Sequence, residues 1–279
     1  MSAKKERNPR VLVLRTAGTN CDQETVSAFR YFGSDVDLVH IHRLFSGEVK
    51  LEDYHILAIP GGFTYGDDII SGRILANELR LRMGDDICVF LREGKLILGI
   101  CNGFQVLARA GILPGSEDGE PDFRQTVSLT YNDSAKFEDR WTHLRCRASS
   151  VWTEGLDGIL YVPVAHAEGK FVVSDPGLLK YLQKNGQIAF QYCDEKGEVT
   201  DQYPLNPNGS AGQIAGITDK TGRVLGMMPH PERHFFFEHH PSWTRIERTG
   251  ELGQGARIFE NGVKYVKENL LNSGVEANV

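Results

Sequence analysis

The feature that most constrains this chain is how its apolar runs end. The two longest, residues 56–60 and 96–101, are only strand-sized, and each stops at a glycine-containing turn. The second passes directly into residues 102–110, a helical pattern closed by Gly111. A short continuous apolar run bounded by turn signals is what a strand buried on both faces requires. The same rhythm repeats upstream. Residues 10–15 predict a strand, and 17–22 a turn. Asp22 is placed to cap a helix running to about Tyr31, where Phe32-Gly33 ends it. Residues 35–42 alternate with period two and read as a strand, as does 54–60, and 72–81 and 85–92 predict two helices before strand 95–100. Strands and helices alternating on short loops give a parallel sheet covered on both faces.

The second half carries more β signal. Strands are expected at 125–131, 142–148, 159–164, 187–193, 212–218 and 223–229, with a turn at 219–222 and a Pro/Asn/Gly-rich loop at 201–210. An amphipathic helix is expected over 255–269. The expected fold class is α/β: a mostly parallel central sheet flanked by helices, with extra β structure in the second half. No repeat, low-complexity block or long linker divides it, so residues 10–272 read as one domain between solvated tails at 1–9 and 273–279.

Composition excludes several alternatives. Hydrophobic residues at 41% and charged residues at 24% argue against a disordered, collagen-like or coiled-coil chain. No apolar run approaches the roughly 20 residues of a membrane helix. The 31 Lys and Arg against 37 Asp and Glu give a net charge of −6, with no cation excess to neutralise phosphates, so nucleic-acid binding is not expected. The N-terminus is polar and basic without an apolar core, unlike a secretory signal. The five cysteines (21, 88, 101, 146, 193) form no Cys-x-x-Cys pair, which fits a reducing, cytoplasmic setting. Four of them read as small hydrophobes or idle thiols.

Cys101 is different. Gly99-x-Cys101-x-Gly103 lies between a buried strand and a helix, the pattern of a nucleophile elbow with cysteine in place of serine. The residue would sit at the carboxyl end of a strand and at a helix N-terminus, whose partial positive charge favours a thiolate. The Asn102 amide would be free to hold an oxyanion, and Gln105, four residues on, would share the face of Cys101. A nucleophilic cysteine needs a base and an orienter. Met228-Pro229-His230-Pro231-Glu232 supplies both types, since prolines hold the chain extended and would project His230 and Glu232 to the same side. Pro60-Gly61-Gly62 follows another buried strand, and the Gly62 amide is a candidate second oxyanion donor, although taken alone the segment reads first as a plain tight turn.

In this order the three pieces resemble the class I, triad-type glutamine amidotransferases, whose pattern is a Gly-Gly loop, an elbow cysteine and a His-x-Glu near the C-terminus. The resemblance implies a flavodoxin-like fold, Cys101 as nucleophile, His230 as general base and acid, and Glu232 as its orienter. It further implies Gly62 and Asn102 as oxyanion donors and Gln105 beside the glutamine. Gly18-Thr-Asn-Cys-Asp22, Gly61-Gly-Phe-Thr-Tyr-Gly-Asp-Asp68, Cys101-Asn-Gly-Phe-Gln105, His166-Ala-Glu-Gly169 and Met228-Pro-His-Pro-Glu-Arg233 are similar to the glutaminase subunits of phosphoribosylformylglycinamidine synthases. That subfamily implies release of ammonia from glutamine in purine biosynthesis, and no metal or organic cofactor on this chain. It implies a synthetase partner, with or without a small accessory subunit, that uses ATP and Mg²⁺. The chain itself has no Gly-x-x-x-x-Gly-Lys-[Ser/Thr] loop. Arg73 and the stretch 238–255 depart from the short bacterial subunits.

Competing readings are a free-standing cysteine hydrolase of the same fold, similar to γ-glutamyl hydrolase, and a non-catalytic scaffold. The intact Cys101/His230/Glu232 set argues against the scaffold. The motifs around 63–68 and 102–105 argue against the hydrolase. His230, His234 and Glu238 share helical spacing, but Pro231 argues against a helical metal site. Residues 234–240 read instead as a loop whose Phe235–Phe237 run packs on the domain or a partner. His166 to Lys170 reads equally as a capped turn or as a border of the site or the synthetase face, and 206–210, which the subfamily also carries, reads from its spacing only as a turn. Asp67-Asp68 reads as a solvated or helix-capping pair, and Arg80, Arg82 and Arg92 as helix surface.

Overall fold

Strand β1 (Arg10–Arg15) pairs in parallel with β2 (Asp35–His40) on one side and β3 (Ile56–Ile59) on the other. Beyond β3 the parallel ladder continues through β4 (Leu96–Ile100) to β11 (Val224–Met227). The sheet then turns antiparallel through β10 (Ile214–Thr218), β9 (Ile188–Cys193), β6 (Glu138–Cys146) and β7 (Ile159–His166). Among the described residues this makes nine strands in one sheet, ordered β2-β1-β3-β4-β11-β10-β9-β6-β7. The parallel half is the expected α/β sheet, and the antiparallel half is the expected extra β structure. The structure, a computed structural model, describes residues 8–67, 70–147 and 150–272. Residues 1–7 of the expected tail 1–9, the expected tail 273–279, Asp68, and Ala148 at the end of the expected strand 142–148 lie outside the described residues.

Burial explains the apolar runs. Every residue of β3, β4, β10 and β11 is buried, because helices or loops cover both faces. The covering helices are α1 (Asp22–Tyr31), α3 (Arg73–Arg92), α4 (Asn102–Ala110) and α6 (Ala256–Tyr265), the last continuing as a π turn over Val266–Leu271. Phe29 of α1 meets Phe259 of α6 edge-on at 5.1 Å, joining two helices distant in sequence.

Several expectations need correction. Residues 72–81 and 85–92 form one helix, α3, because Leu75, Leu79, Met83 and Ile87 carry an unbroken buried stripe through Gly84. Core burial along that stripe outweighs the roughly 1 kcal/mol that an interior glycine costs a helix. The strand expected at 35–42 stops at His40, and Ile41–Phe45 turns into a short helix, α2. Asp22 is not the cap of α1: Cys21 occupies that position and makes no side-chain cap bond. A small antiparallel pair, β5 (Val127–Thr130) with β8 (Lys170–Val173), lies outside the main sheet. Helix α5 (Pro176–Lys184) was legible but unread, since Asp175 caps it by accepting from the Gly177 amide and Pro176 stands at its first position.

Candidate active site

β4 and β11 are neighbours in the sheet and run the same way, so their carboxyl ends deliver residues 101 and 230 to one place. Cys101 sits between β4 and α4 at φ 52°, ψ −106°, a conformation non-glycine residues rarely adopt. Its amide is spent on the Met227 carbonyl at 2.7 Å, which extends the β4–β11 ladder by one bond and holds the turn. The two elbow glycines are required by packing. A Cβ on Gly103 would lie 1.9 Å from the Ile59 carbonyl oxygen, and one on Gly99 would lie 2.8 Å from the Gly103 backbone. Together they let α4 press against the sheet and aim its N-terminus at the site.

His230 is extended (φ −103°, ψ 92°), as its flanking prolines dictate. Glu232 is not: Pro231–His234 forms a 3₁₀ turn, so the pairing of His230 with Glu232 comes from that turn and not from strand alternation. The outcome is the expected contact, with His230 Nδ1 2.6 Å from Glu232 Oε1 and both side chains buried. Nε2 is buried and has no competing hydrogen bond, which leaves it available on the Cys101 side. Burial disfavours the imidazolium, but the Glu232 carboxylate and the Cys101 sulfur override it and raise the His230 pKa well above its ordinary value.

Strand β7 gauges this arrangement. It is the edge of the sheet, and three alternate carbonyls along its free side receive groups from the site. Tyr161 O faces His234 Nδ1 at 2.6 Å, Pro163 O accepts from the His230 amide at 2.8 Å, and Ala165 O accepts from the Cys101 thiol at 3.7 Å. Proline at 163 is compatible with this because an edge strand needs no outward N–H there.

The glycine loop after β3 closes the site. Gly61 O accepts from the Asn20 and Cys21 amides at 3.2 and 3.1 Å, so in the trans peptide the Gly62 N–H points away from them. A Cβ on Gly61 would lie 2.7 Å from His230 Cε1 and 3.4 Å from Cys101 Cβ, so this glycine is wedged between the two. Asn102, first residue of α4, has a backbone N–H with no partner inside the helix. Its side chain accepts from Thr64 Oγ1 at 2.7 Å and donates to Gln105 Oε1 at 2.9 Å and Asp67 Oδ1 at 3.4 Å. Gln105 Nε2 then donates to Glu168 O at 2.6 Å. Asp67, read as solvated or helix-capping, is half-buried and ties down the turn before α3, accepting from Ser71 Oγ and the Gly72 amide, while the helix start itself has no side-chain cap bond.

Of the expected site residues, Cys101, His230 and Glu232 meet, Asn102 and Gln105 lie on α4 directly after the elbow, and Gly62 follows Gly61, which is wedged between Cys101 and His230. The 166–169 segment borders the site through Glu168, directly after Ala165, and 206–210 supports it, with Asn208 donating to Gly169 O and Tyr192 Oη. The Glu168 carboxylate is paired with Arg109 at 3.4 Å, in a buried contact the sequence did not announce. His166 is fully buried, and desolvation lowers its pKa to about 3, so it is a neutral imidazole. Cys21, read as an idle thiol, lies 3.8 Å from His230 Nδ1. Gly18-Thr-Asn-Cys-Asp22 was the signal for it, because that motif already belonged to the resemblance. Cys21, His230 and Glu232 offer donors within 4.8 Å of one another, in the manner of a metal site. The His230–Glu232 bond and an Arg233 guanidinium 3.2 Å from the Cys21 sulfur engage those donors already. The Phe235–Phe237 run packs on the chain itself: Phe235 and Phe237 are buried, and Phe235 meets Tyr31 and Phe259.

An elbow cysteine, a buried His–Glu pair and a glycine loop at the carboxyl edge of a parallel sheet define a triad-type amidotransferase site, and the chain belongs to the CobB/CobQ-like glutamine amidotransferase domain family, whose model matches residues 8–266. It is 45% identical over 262 residues to the phosphoribosylformylglycinamidine synthase subunit PurQ of Dehalococcoides mccartyi, covering 93% of this chain and 98% of that protein. It is 42% identical over 270 residues to PurQ of Methanococcus maripaludis strain C7, covering 92% and 97%. Among solved structures it is similar to a chain of PurLQS from Thermotoga maritima, with a TM-score of 0.69 and 27% identity over 93% of this chain and 99% of that one.

Proposed function

We propose that this chain is the glutaminase subunit of a phosphoribosylformylglycinamidine synthase. It releases ammonia from glutamine for a synthetase subunit that makes formylglycinamidine ribonucleotide in purine biosynthesis. The observation that carries the reading is the meeting of the strained Cys101 elbow with the buried His230–Glu232 pair, in a chain whose likeness to PurQ proteins runs almost end to end. This favours the coupled subunit over a free-standing hydrolase.

The geometry supports a two-step acyl transfer. The Cys101 sulfur, with its proton passed to His230, attacks the side-chain amide carbon of glutamine. The Gly62 and Asn102 amides hold the resulting oxyanion. The His230 imidazolium, steadied by Glu232, gives its proton to the departing nitrogen, and ammonia leaves. Water then attacks the γ-glutamyl thioester, His230 takes its proton, and glutamate is released as the thiol re-forms. Gln105 lines the glutamine side of the elbow. The chemistry needs no metal or organic cofactor from this chain, and ATP with Mg²⁺ acts on the partner. Among the described residues no helix is long and apolar enough to cross a membrane, which is consistent with work in the cytoplasm.

The test is glutamate release from glutamine by the chain alone, then with the synthetase subunit, ATP and formylglycinamide ribonucleotide. Strong stimulation is expected. Equal, brisk turnover in both tubes would favour the free-standing hydrolase.

A further inference from the structure

We infer that Cys21 is a positioning residue for the catalytic dyad: its sulfur holds the Arg233 guanidinium away from Glu232 and steadies the Nδ1 edge of His230. The inference rests on the amidotransferase reading of the site.

Cys21 comes from a different part of the chain than either partner, and its backbone is pinned from two sides. Its amide donates to Gly61 O at 3.1 Å, and its carbonyl accepts from the amide and the hydroxyl of Thr25 at 3.2 and 2.7 Å. The side chain is 1% exposed, so the sulfur has little room to move. From that fixed point it lies 3.8 Å from His230 Nδ1 and accepts from Arg233 Nη2 at 3.2 Å. A Cβ on Gly61 would lie 3.3 Å from the same sulfur, so Cys21 also backs the glycine loop where it touches His230.

The charge arrangement explains why a thiol suits this place. Arg233 follows Glu232 directly, and Glu232 Oε2 is buried with no hydrogen-bond partner. A guanidinium free to swing would find that oxygen, since carboxylate is its strongest acceptor. Glu232 would then be shared between Arg233 and His230, and its hold on the imidazolium would weaken. The Cys21 sulfur supplies a different acceptor. Burial raises the Cys21 pKa, so the thiol remains neutral and adds no second negative charge against Nδ1. The groups facing His230 are then Glu232 on its own turn, Cys101 from the elbow, Cys21 at the Nδ1 edge with Arg233 bonded to its sulfur, and the neutral His166 from β7.

The experiment uses Cys21→Ala, Arg233→Met and the double variant in complex with the synthetase subunit, alongside wild type. Cys21→Ala is expected to lower glutamine-dependent kcat about tenfold, with the KM for glutamine within about twofold, because positioning and not substrate binding is lost. Iodoacetamide labelling of the Cys101 peptide, followed by mass spectrometry across pH, reads the dyad without turnover. In Cys21→Ala the half-maximal labelling rate is expected at higher pH, because the imidazolium that stabilises the thiolate is weakened. In the Arg233→Met background, adding Cys21→Ala is expected to cause no such shift, since no guanidinium is left to capture Glu232. Cys21→Ser, which restores an acceptor for Arg233, is expected to recover part of the lost kcat. The same Cys21→Ala shift with and without Arg233 would overturn the mechanism, as would a wild-type labelling profile in Cys21→Ala. If Cys21→Ala melts too early to assay, Cys21→Val, which fills the space of the thiol and offers Arg233 no acceptor, takes its place: a lowered kcat with labelling shifted to higher pH supports the role, and a wild-type kcat and labelling profile overturns it. Failure of the amidotransferase reading is distinguishable, because the wild-type complex would then release no glutamate.

Discussion

The His230 amide donates to the Pro163 carbonyl at 2.8 Å, and two residues along the same strand edge the Ala165 carbonyl takes the Cys101 thiol at 3.7 Å. A single rigid edge strand thus sets the separation of the proposed nucleophile and base, although the two come from turns more than 120 residues apart in sequence, at positions 101 and 230. Such support from regular structure is how a reactive geometry is held without the substrate's help.

Cys101→Ala is expected to abolish glutamine-dependent synthesis by the complex while ammonia-dependent synthesis continues. Only the thioester chemistry needs the sulfur, and the synthetase reaction consumes ammonia from any source. Assaying amidine formation with glutamine and then with an ammonium salt checks this. Full glutamine-dependent activity in the variant would remove Cys101 from the nucleophile's role.

Glu232→Gln keeps the shape of the dyad and removes its charge. His230 loses the partner that raises its pKa, while the burial that lowers it remains. The imidazolium is therefore lost at a lower pH than in the wild type. The expected result is a fall in kcat of about 10³-fold and a shift of its alkaline limb to lower pH. A pH–kcat series for both proteins measures it.

Gly61→Ala and Gly103→Ala separate activity from stability. The first places a Cβ 2.7 Å from His230 Cε1, next to a side chain that can rotate away. It is expected to cost about 10²-fold in kcat with little change in melting temperature. The second drives a Cβ to 1.9 Å from the Ile59 carbonyl, where only backbone can yield. It is expected to cost at least about 2–3 kcal/mol of folding stability, read by urea denaturation.

His166 should leave a mark on acid stability. Its folded pKa, about 3, lies below the ordinary histidine value of 6.5. The unfolded chain binds that proton first, so the contribution is fully present above pH 6.5 and is lost as pH falls toward 3. His166→Gln is expected to flatten the stability curve in that window by up to about 1.4 kcal/mol per pH unit. Denaturation midpoints at several pH values give the comparison, and parallel curves for the two proteins would contradict it.

The local signals were those with a short-range physical cause. The Gly99-x-Cys101-x-Gly103 elbow was legible because a strand cannot turn into a tightly packed helix there with any side chain at either glycine. Pro229 and Pro231 made His230 extended for the same kind of reason. The pairing of His230 with Glu232 was expected from alternation and arises instead from a 3₁₀ turn, because Pro231 tolerates the start of a helix as readily as a strand. The two helices expected over 72–81 and 85–92 are one, since the cost of Gly84 is small beside the burial of the stripe that runs past it.

By itself the sequence determined the strand–helix rhythm, the elbow, and the residue types of a nucleophile, a base and its orienter, because each depends on neighbours a few positions away. The tertiary structure alone decided what surrounds them. It put β4 beside β11, so that Cys101 and His230 share a sheet edge, and laid β7 across that edge to hold both. It also brought Cys21 against His230 and Arg109 against Glu168. Those contacts join segments far apart in the chain. They exist only once the core has closed, and their partners are chosen by packing of the whole sheet.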